Sequence, residues 1–136
     1  MQGGPITIGH YAGNGRAIAV HPMKPEFATV GDDGTLRIWD IYTRNLVKMT
    51  TLDTAVTSVA YHPNGDLLVV GLGGALGGGG AKTKKDGAFV LLNEPDLSVT
   101  YEARDAKHPI TVVRYSPDGE YMALGSQVRA VQCRAV

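Results

Sequence analysis

The stretch Gly31-Asp32-Asp33-Gly34-Thr35-Leu36-Arg37-Ile38-Trp39-Asp40 places a tight turn directly before a short β-type segment. Its Asp-Asp-Gly residues are those that turns favour. Thr35 to Trp39 is rich in the branched and aromatic side chains typical of strands. A similar apolar run, Phe27 to Gly31, precedes the turn. The stretch therefore predicts one hairpin of an antiparallel sheet.

The hairpin belongs to a repeat that occurs three times, over 17–31, 57–71 and 111–125. In each unit a first β-type segment ends at His-Pro or Ser-Pro, and a second ends in glycine. The repeated prolines stand at 22, 63 and 117, so the spacing is 41 residues and then 54. Internal repeats of this length are the signature of modular β architectures.

The excess of 13 residues has one location. It falls between two strands of the second unit, in 72–85, which contains the glycine tract 77–80. Without this insertion the period is about 41, which suits the four-stranded blades of a β-propeller.

The repeat predicts an all-β chain of propeller blades. We expect 6–8 to be the last strand of a preceding blade, 16–52 a first full blade, 56–104 a second with its insertion at 72–85, and 110–136 an incomplete third. The third unit shows no blade pattern after Gly125-Ser126. Because four blades need about 160 residues, we expect the remaining blades to be missing from this 136-residue chain.

Composition argues against several classes of protein. Thirteen basic residues balance thirteen acidic ones, whereas nucleic-acid partners require a basic surface. No apolar run approaches the roughly 20 residues that span a bilayer. Cys133 is the single cysteine, which argues against a disulfide or a zinc cage. The four histidines show no metal-ligand spacing: His10, His21, His62, His108. No nucleophile stands beside a base either, so we predict that the protein binds no cofactor and is not an enzyme.

The glycine-rich insertion contains Lys82-Thr83-Lys84-Lys85 and invites comparison with a phosphate-binding loop. That pattern requires glycine where Ala81 and Leu76 stand. A β-type segment follows instead of the helix whose N-terminus would meet the phosphates. We interpret the insertion as a flexible loop between two strands, or as a partner-contact loop in which Lys82, Lys84 and Lys85 meet an acidic surface.

Gly31 to Asp40 resembles the end of a WD40 repeat, and Gly9-His10 lies 29 residues before Trp39, where such repeats carry a Gly-His pair. The resemblance implies a hydrogen-bonded structural tetrad of His10, Thr29, Asp33 and Trp39. A buried indole N–H and a buried imidazole both need such partners. The second unit ends Leu91-Leu92-Asn93 and lacks the tetrad.

Residues from about 6 to 126 also resemble the narrower echinoderm microtubule-associated protein-like family. Suggestive stretches are 19–22, 31–40, 84–89 and 101–119. The resemblance implies a non-enzymatic interaction module that contacts tubulin or microtubules in the cytoplasm, at the cytoskeleton. Two alternatives stand beside it: a generic WD40 scaffold or adaptor that binds another protein, and a nucleotide-binding protein that uses the glycine-rich loop.

Overall fold

The computed structural model describes residues 10, 15–78, 83–104, 106–126 and, for the backbone, 131–135. These residues form eleven strands in three antiparallel sheets, so the predicted all-β fold of propeller blades is confirmed. Sheet 1 contains β1 Gly15–Val20, β2 Glu26–Gly31, β3 Thr35–Asp40 and β4 Leu46–Thr51. Sheet 2 contains β5 Val56–Tyr61, β6 Leu67–Leu72, β7 Ala88–Asn93 and β8 Val99–Arg104. Sheet 3 contains β9 Ile110–Tyr115, β10 Tyr121–Ser126 and β11 Val131–Ala135. The predicted strand 6–8 lies outside the described residues.

The strands of each sheet are adjacent in chain order, as successive hairpins require. The turns that join the first strand of a sheet to the second, and the third to the fourth, therefore lie at one end of the sheets. The remaining connections lie at the other end. We call the end formed by 32–34, 52–55, 73–78, 83–87 and 106–109 the upper end. The end formed by 21–25, 41–45, 62–66, 94–98 and 116–120 is the lower end.

Two apolar layers hold the sheets together. Between sheets 1 and 2, Ile38 and Leu36 pack with Val70, Leu68 and Leu92, all fully buried. Between sheets 2 and 3, a second cluster surrounds the buried ring of Phe89: Val69, Ile110, Val113, Met122, Leu124. Sheet 2 is covered on both faces, which explains why β6 and β7 are nearly continuous apolar runs.

Sheet 3 extends further than the sequence pattern indicates. The tail lacks an Asp-Gly turn and a Trp-Asp pair, yet β11 pairs with β10 from Tyr121↔Ala135 to Gly125↔Val131. Backbone groups supply the hydrogen bonds of strand pairing, so the ladder forms without those side chains. The incomplete third blade thus has three strands in the described part of the chain.

A short 3₁₀ segment, Leu76–Gly78, lies in the insertion between β6 and β7. Over the described ranges, the structure contains no helix with the length and apolar character needed to cross a membrane.

Candidate functional site

The structure brings the four predicted tetrad side chains together on the face of sheet 1 that points away from sheet 2. His10 Nδ1 lies 2.9 Å from Asp33 Oδ1, and His10 Nε2 lies 2.8 Å from Thr29 Oγ1. Trp39 donates its indole N–H to Thr29 Oγ1 at 2.9 Å. Thr29 lies on β2, Asp33 in the β2–β3 turn and Trp39 on β3, so one hairpin positions three of the four residues.

The direction of these hydrogen bonds follows from Trp39, because an indole nitrogen can only donate. Thr29 Oγ1 accepts from Trp39 and is then free to donate its own hydrogen to Nε2 of a neutral His10. His10 Nδ1–H is left to donate to Asp33. A chain of hydrogen bonds thus runs from the Trp39 indole to the Asp33 carboxylate, and each donor in it has an acceptor.

A fifth residue, Thr35, joins the set, although the sequence pattern did not single it out. Its backbone N–H and its hydroxyl both donate to Asp33 Oδ1, at 3.1 and 2.8 Å. Burial raises the pKa of Asp33, but hydrogen bonds from His10 and Thr35 outweigh burial and lower that pKa overall. Asp33 is held ionised as an acceptor, which suits a structural anchor better than proton transfer.

The insertion is anchored at both ends. Gly73 N–H donates to Ala55 O at 3.1 Å, and Gly77 N–H donates to Asp32 O at 2.7 Å. The buried carboxylate of Asp86 accepts from Gly74 N–H at 2.8 Å and from the Thr83 hydroxyl at 2.9 Å. The predicted flexible loop is therefore hydrogen-bonded to neighbouring segments at residues 73, 74 and 77, while Leu76 and Gly77 are exposed.

These contacts also bear on the nucleotide-binding alternative. A phosphate cradle requires free backbone N–H groups that converge on the ligand. Gly73, Gly74 and Gly77 direct theirs to protein acceptors. These three N–H groups are therefore not available to a phosphate.

The three predicted contact lysines differ in their surroundings. Lys84 is exposed in the turn before β7. Lys85 contacts the Glu102 carboxylate, and this hydrogen bond raises the pKa of Lys85. Lys82 lies outside the described residues. Of the predicted contact lysines in the described part of the chain, Lys84 is exposed and forms no ion pair with another described residue.

A buried charge cluster joins sheets 1 and 2 at the lower end. Glu94 is 3% exposed and accepts from Lys48 Nζ at 3.0 Å and from Lys24 Nζ at 3.3 Å. Burial raises the pKa of Glu94, but the two lysines outweigh it and lower the pKa overall. Sequence reasoning missed this cluster because its members are 46 and 70 positions apart and carry no local pattern.

An open groove of about 540 Å³ crosses the first strands of the three sheets, β1, β5 and β9. Among the described residues that line it there is no carboxylate and no histidine. The described ranges likewise bring together no three histidine, cysteine or acidic side chains able to hold a metal ion.

Comparison with known proteins agrees with this architecture. Residues 16–134 match the family described as the second β-propeller of echinoderm microtubule-associated proteins. The chain belongs to this propeller family. The match covers all three sheets except for the first residue of β1 and the last of β11.

Several curated relatives carry the corresponding name. The chain is 32% identical over 122 residues to echinoderm microtubule-associated protein-like 1 of Mus musculus, covering 90% of this chain and 13% of the relative. It is 29% identical over 109 residues to mouse echinoderm microtubule-associated protein-like 2, covering 80% and 15%. It is 28% identical over 119 residues to human echinoderm microtubule-associated protein-like 3, covering 88% and 12%. The chain thus spans less than a sixth of the length of these relatives.

Proposed function

We propose that this chain is a non-enzymatic interaction module of a microtubule-associated-protein-like chain and that it contacts tubulin in the cytoplasm, at the cytoskeleton. The observation that carries the proposal is the family match over 16–134, which spans the three sheets almost completely. The relatives' names describe them as microtubule-associated.

The surroundings of the tetrad support a structural role for it. His10, Thr29, Asp33 and Trp39 form hydrogen bonds with one another and with Thr35. The second carboxylate oxygen of Asp33 lies 3.7 Å from the Arg37 guanidinium. These contacts hold one hairpin of sheet 1 together, which is a structural role. The described lining of the groove across the first strands contains no carboxylate and no histidine, the side chains that act most often in acid–base catalysis.

For the contact with tubulin we propose the insertion with Lys82, Lys84 and Lys85. Lysines at the rim of an interface steer an acidic partner and make the encounter dependent on salt. Lys84 is exposed and contributes a full charge, whereas Lys85 is already paired with Glu102.

Co-sedimentation with stabilised microtubules at several salt concentrations tests this proposal. We expect saturable binding that weakens when Lys82, Lys84 and Lys85 are all replaced by glutamine. Arg44→Gln is the matched control, because Arg44 is an exposed cation at the lower end. Absence of the chain from the pellet would refute tubulin contact and favour the adaptor alternative. Binding that survives the triple lysine variant would exclude the insertion as the contact.

A further inference from the structure

The lower end of the sheets carries a strong excess of negative charge. Its described turns and the strand residues beside them hold seven carboxylates, against Lys24, Arg44 and the nearby Lys48 and Arg114. The carboxylates are Glu26, Asp40, Asp66, Glu94, Asp96, Asp118 and Glu120. Lys24 and Lys48 are both engaged by Glu94. The neutral chain is thus polarised, with an excess of about three negative charges at this end.

Four of these carboxylates face solvent: Asp66, Asp96, Asp118, Glu120. Asp118 accepts hydrogen bonds from the Ser116 hydroxyl and from Glu120 N–H, and these lower the pKa of Asp118. Asp96 is similarly bonded to Ser98. None of the four forms a salt bridge with a cation among the described residues; hydrogen bonds from Ser98 and, to a smaller extent, the charge of Lys48 lower the pKa of Asp96.

An apolar patch lies at the same end, in the turns of sheet 1. Tyr42 is 78% exposed and Met23 is 70% exposed, and Ile41 is exposed beside them. Ile41 N–H donates to Pro25 O at 2.8 Å, which holds the β3–β4 turn against the β1–β2 turn. The equivalent β5–β6 and β9–β10 turns carry Asn64, Asp66, Asp118 and Glu120 instead.

Direct contacts make the apolar patch and the carboxylates one surface. Lys24, next to Met23, reaches Glu94, and Glu94 N–H donates to Asp66 O at 2.9 Å. The His62 ring in turn lies against Gly119, beside Asp118 and Glu120. Exposed Tyr and Met side chains are the types enriched in protein interfaces. A membrane surface or a nucleic acid, both anionic, would be repelled here.

We propose that the lower end is a second docking surface, which takes a basic, amphipathic protein segment with apolar side chains on Met23 and Tyr42 and lysines or arginines towards the carboxylates of sheets 2 and 3. Lysine or arginine side chains would complement the excess charge, and apolar residues would cover the patch. The surface lies at the opposite end from the insertion, so it does not depend on the tubulin proposal.

A labelled 14-residue peptide of leucine and lysine in helical spacing is the probe, and fluorescence anisotropy with the full chain is the measurement. Asp66→Asn with Glu120→Gln should weaken binding about tenfold, since each exposed charge pair contributes a few-fold. Met23→Ser with Tyr42→Ser should weaken it at least fivefold. Raising the salt concentration should weaken binding of the unaltered chain.

Asp53→Asn is the matched control, because Asp53 is an exposed carboxylate at the upper end. It should leave the affinity unchanged, and a thermal melt of each variant checks folding. Equal loss in Asp53→Asn, or full affinity in either double variant, would overturn the proposal. A leucine–glutamate peptide that binds as tightly as the leucine–lysine peptide would also overturn it. So would a dimer of this chain that the Tyr42→Ser substitution dissociates, because the surface would then be an interface between two copies. Tighter binding of a DNA oligonucleotide of matched length would show that the partner class is wrong.

Discussion

The imidazole of His62 lies directly against Gly119, in the β9–β10 turn of the next sheet. A Cβ built at Gly119 would come within 2.5 Å of both Cε1 and Nε2 of that ring. His62 Nε2 also lies 3.1 Å from Gly119 O. The same arrangement occurs one repeat earlier, where a Cβ at Gly65 would lie 2.7 Å from Cε1 of His21. Each histidine therefore sets how closely the lower ends of two neighbouring sheets approach.

Gly119→Ala should destabilise the fold by roughly 2–5 kcal/mol. Gly119 has φ +77°, and a left-handed residue with a Cβ costs about 1–2 kcal/mol. Overpacking against His62 adds about 1–3 kcal/mol. The ring cannot easily swing away, because its Nδ1 accepts from Asn64 N–H. Urea unfolding followed by circular dichroism measures the loss.

Gly77→Ala is the matched control for this prediction. Gly77 has φ +79°, and nothing lies within 4 Å of the Cβ that alanine would add. Gly77→Ala should lower the free energy of unfolding only through the strained backbone, by about 1–2 kcal/mol. Equal losses for the two alanine variants would show that the contact with His62 contributes nothing. Adding His62→Ala to Gly119→Ala should recover part of the loss if the clash is real.

The histidines illustrate what the sequence can and cannot predict. His21-Pro22 and His62-Pro63 stand at the same position of the repeat, at the end of its first β-type segment. The turns could be predicted because Pro, Asn-Gly and Asp-Gly act locally. The contact of each ring with the next sheet depends on how one sheet is placed on another, and no local pattern encodes that placement.

The candidate sites show the same division. The residues of one hairpin, Thr29, Asp33 and Trp39, are within ten positions of one another, so a motif could indicate their meeting. Lys85 and Glu102 lie on different segments, and their ion pair has no sequence signal. The acidic lower end was equally hidden, because a net charge of zero conceals the separation of charge between the two ends.

Trp39→Ala should destabilise the fold by roughly 3–5 kcal/mol, as expected for loss of a large buried aromatic side chain. Trp39 is 4% exposed and stacks on Phe27. Trp39→Phe retains a ring but removes the N–H that Thr29 accepts, so its cost should be about 1–2 kcal/mol. Tyr42→Ala, at an exposed aromatic residue of the same sheet, should change stability little. A loss below 1 kcal/mol in Trp39→Ala, measured by urea unfolding, would contradict the buried role.

Acid should destabilise the chain partly through Glu94. The pKa of Glu94 lies below its usual 4.5 in the folded state. Its contribution is therefore fully present above about pH 4.5 and is lost as the pH falls through the folded pKa. Glu94→Gln should lower the melting temperature at pH 7 and reduce its fall between pH 5 and pH 3. Thermal melts at each pH, followed by circular dichroism, measure these melting temperatures.

Glu120→Gln provides the comparison, since it removes an exposed carboxylate at the same end of the sheets. Its melting temperature should fall with acid as much as that of the unaltered chain. Asp33 and Asp86 also have lowered pKa values and titrate in the same direction, so Glu94→Gln should leave part of the acid sensitivity in place. An unchanged pH profile in Glu94→Gln would show that its pair with Lys48 and Lys24 does not stabilise the fold.

The insertion provides the last prediction. From loop entropy alone, removing about 13 residues from 72–85 should leave the fold intact. The hydrogen bonds of Gly73, Gly74 and Gly77 change that expectation. Deleting 73–85 would remove these three bonds and leave Asp32 O without the N–H it accepts. It would also remove Gly74 O, which accepts from Ala55 N–H and from the Thr54 hydroxyl, and the Thr83 hydroxyl that donates to Asp86. At about 1 kcal/mol for each bond, we expect a loss of at least about 3 kcal/mol with the sheets still formed. Inserting Gly-Gly-Ser-Gly after residue 79 should lower the free energy of unfolding by less than about 0.6 kcal/mol, because it lengthens the loop without touching these bonds.

Urea unfolding of both variants tests this prediction. Equal stability of the deletion variant and the unaltered chain would mean that the hydrogen bonds of the insertion contribute nothing. Complete unfolding of the deletion variant would mean that the insertion holds sheets 1 and 2 together.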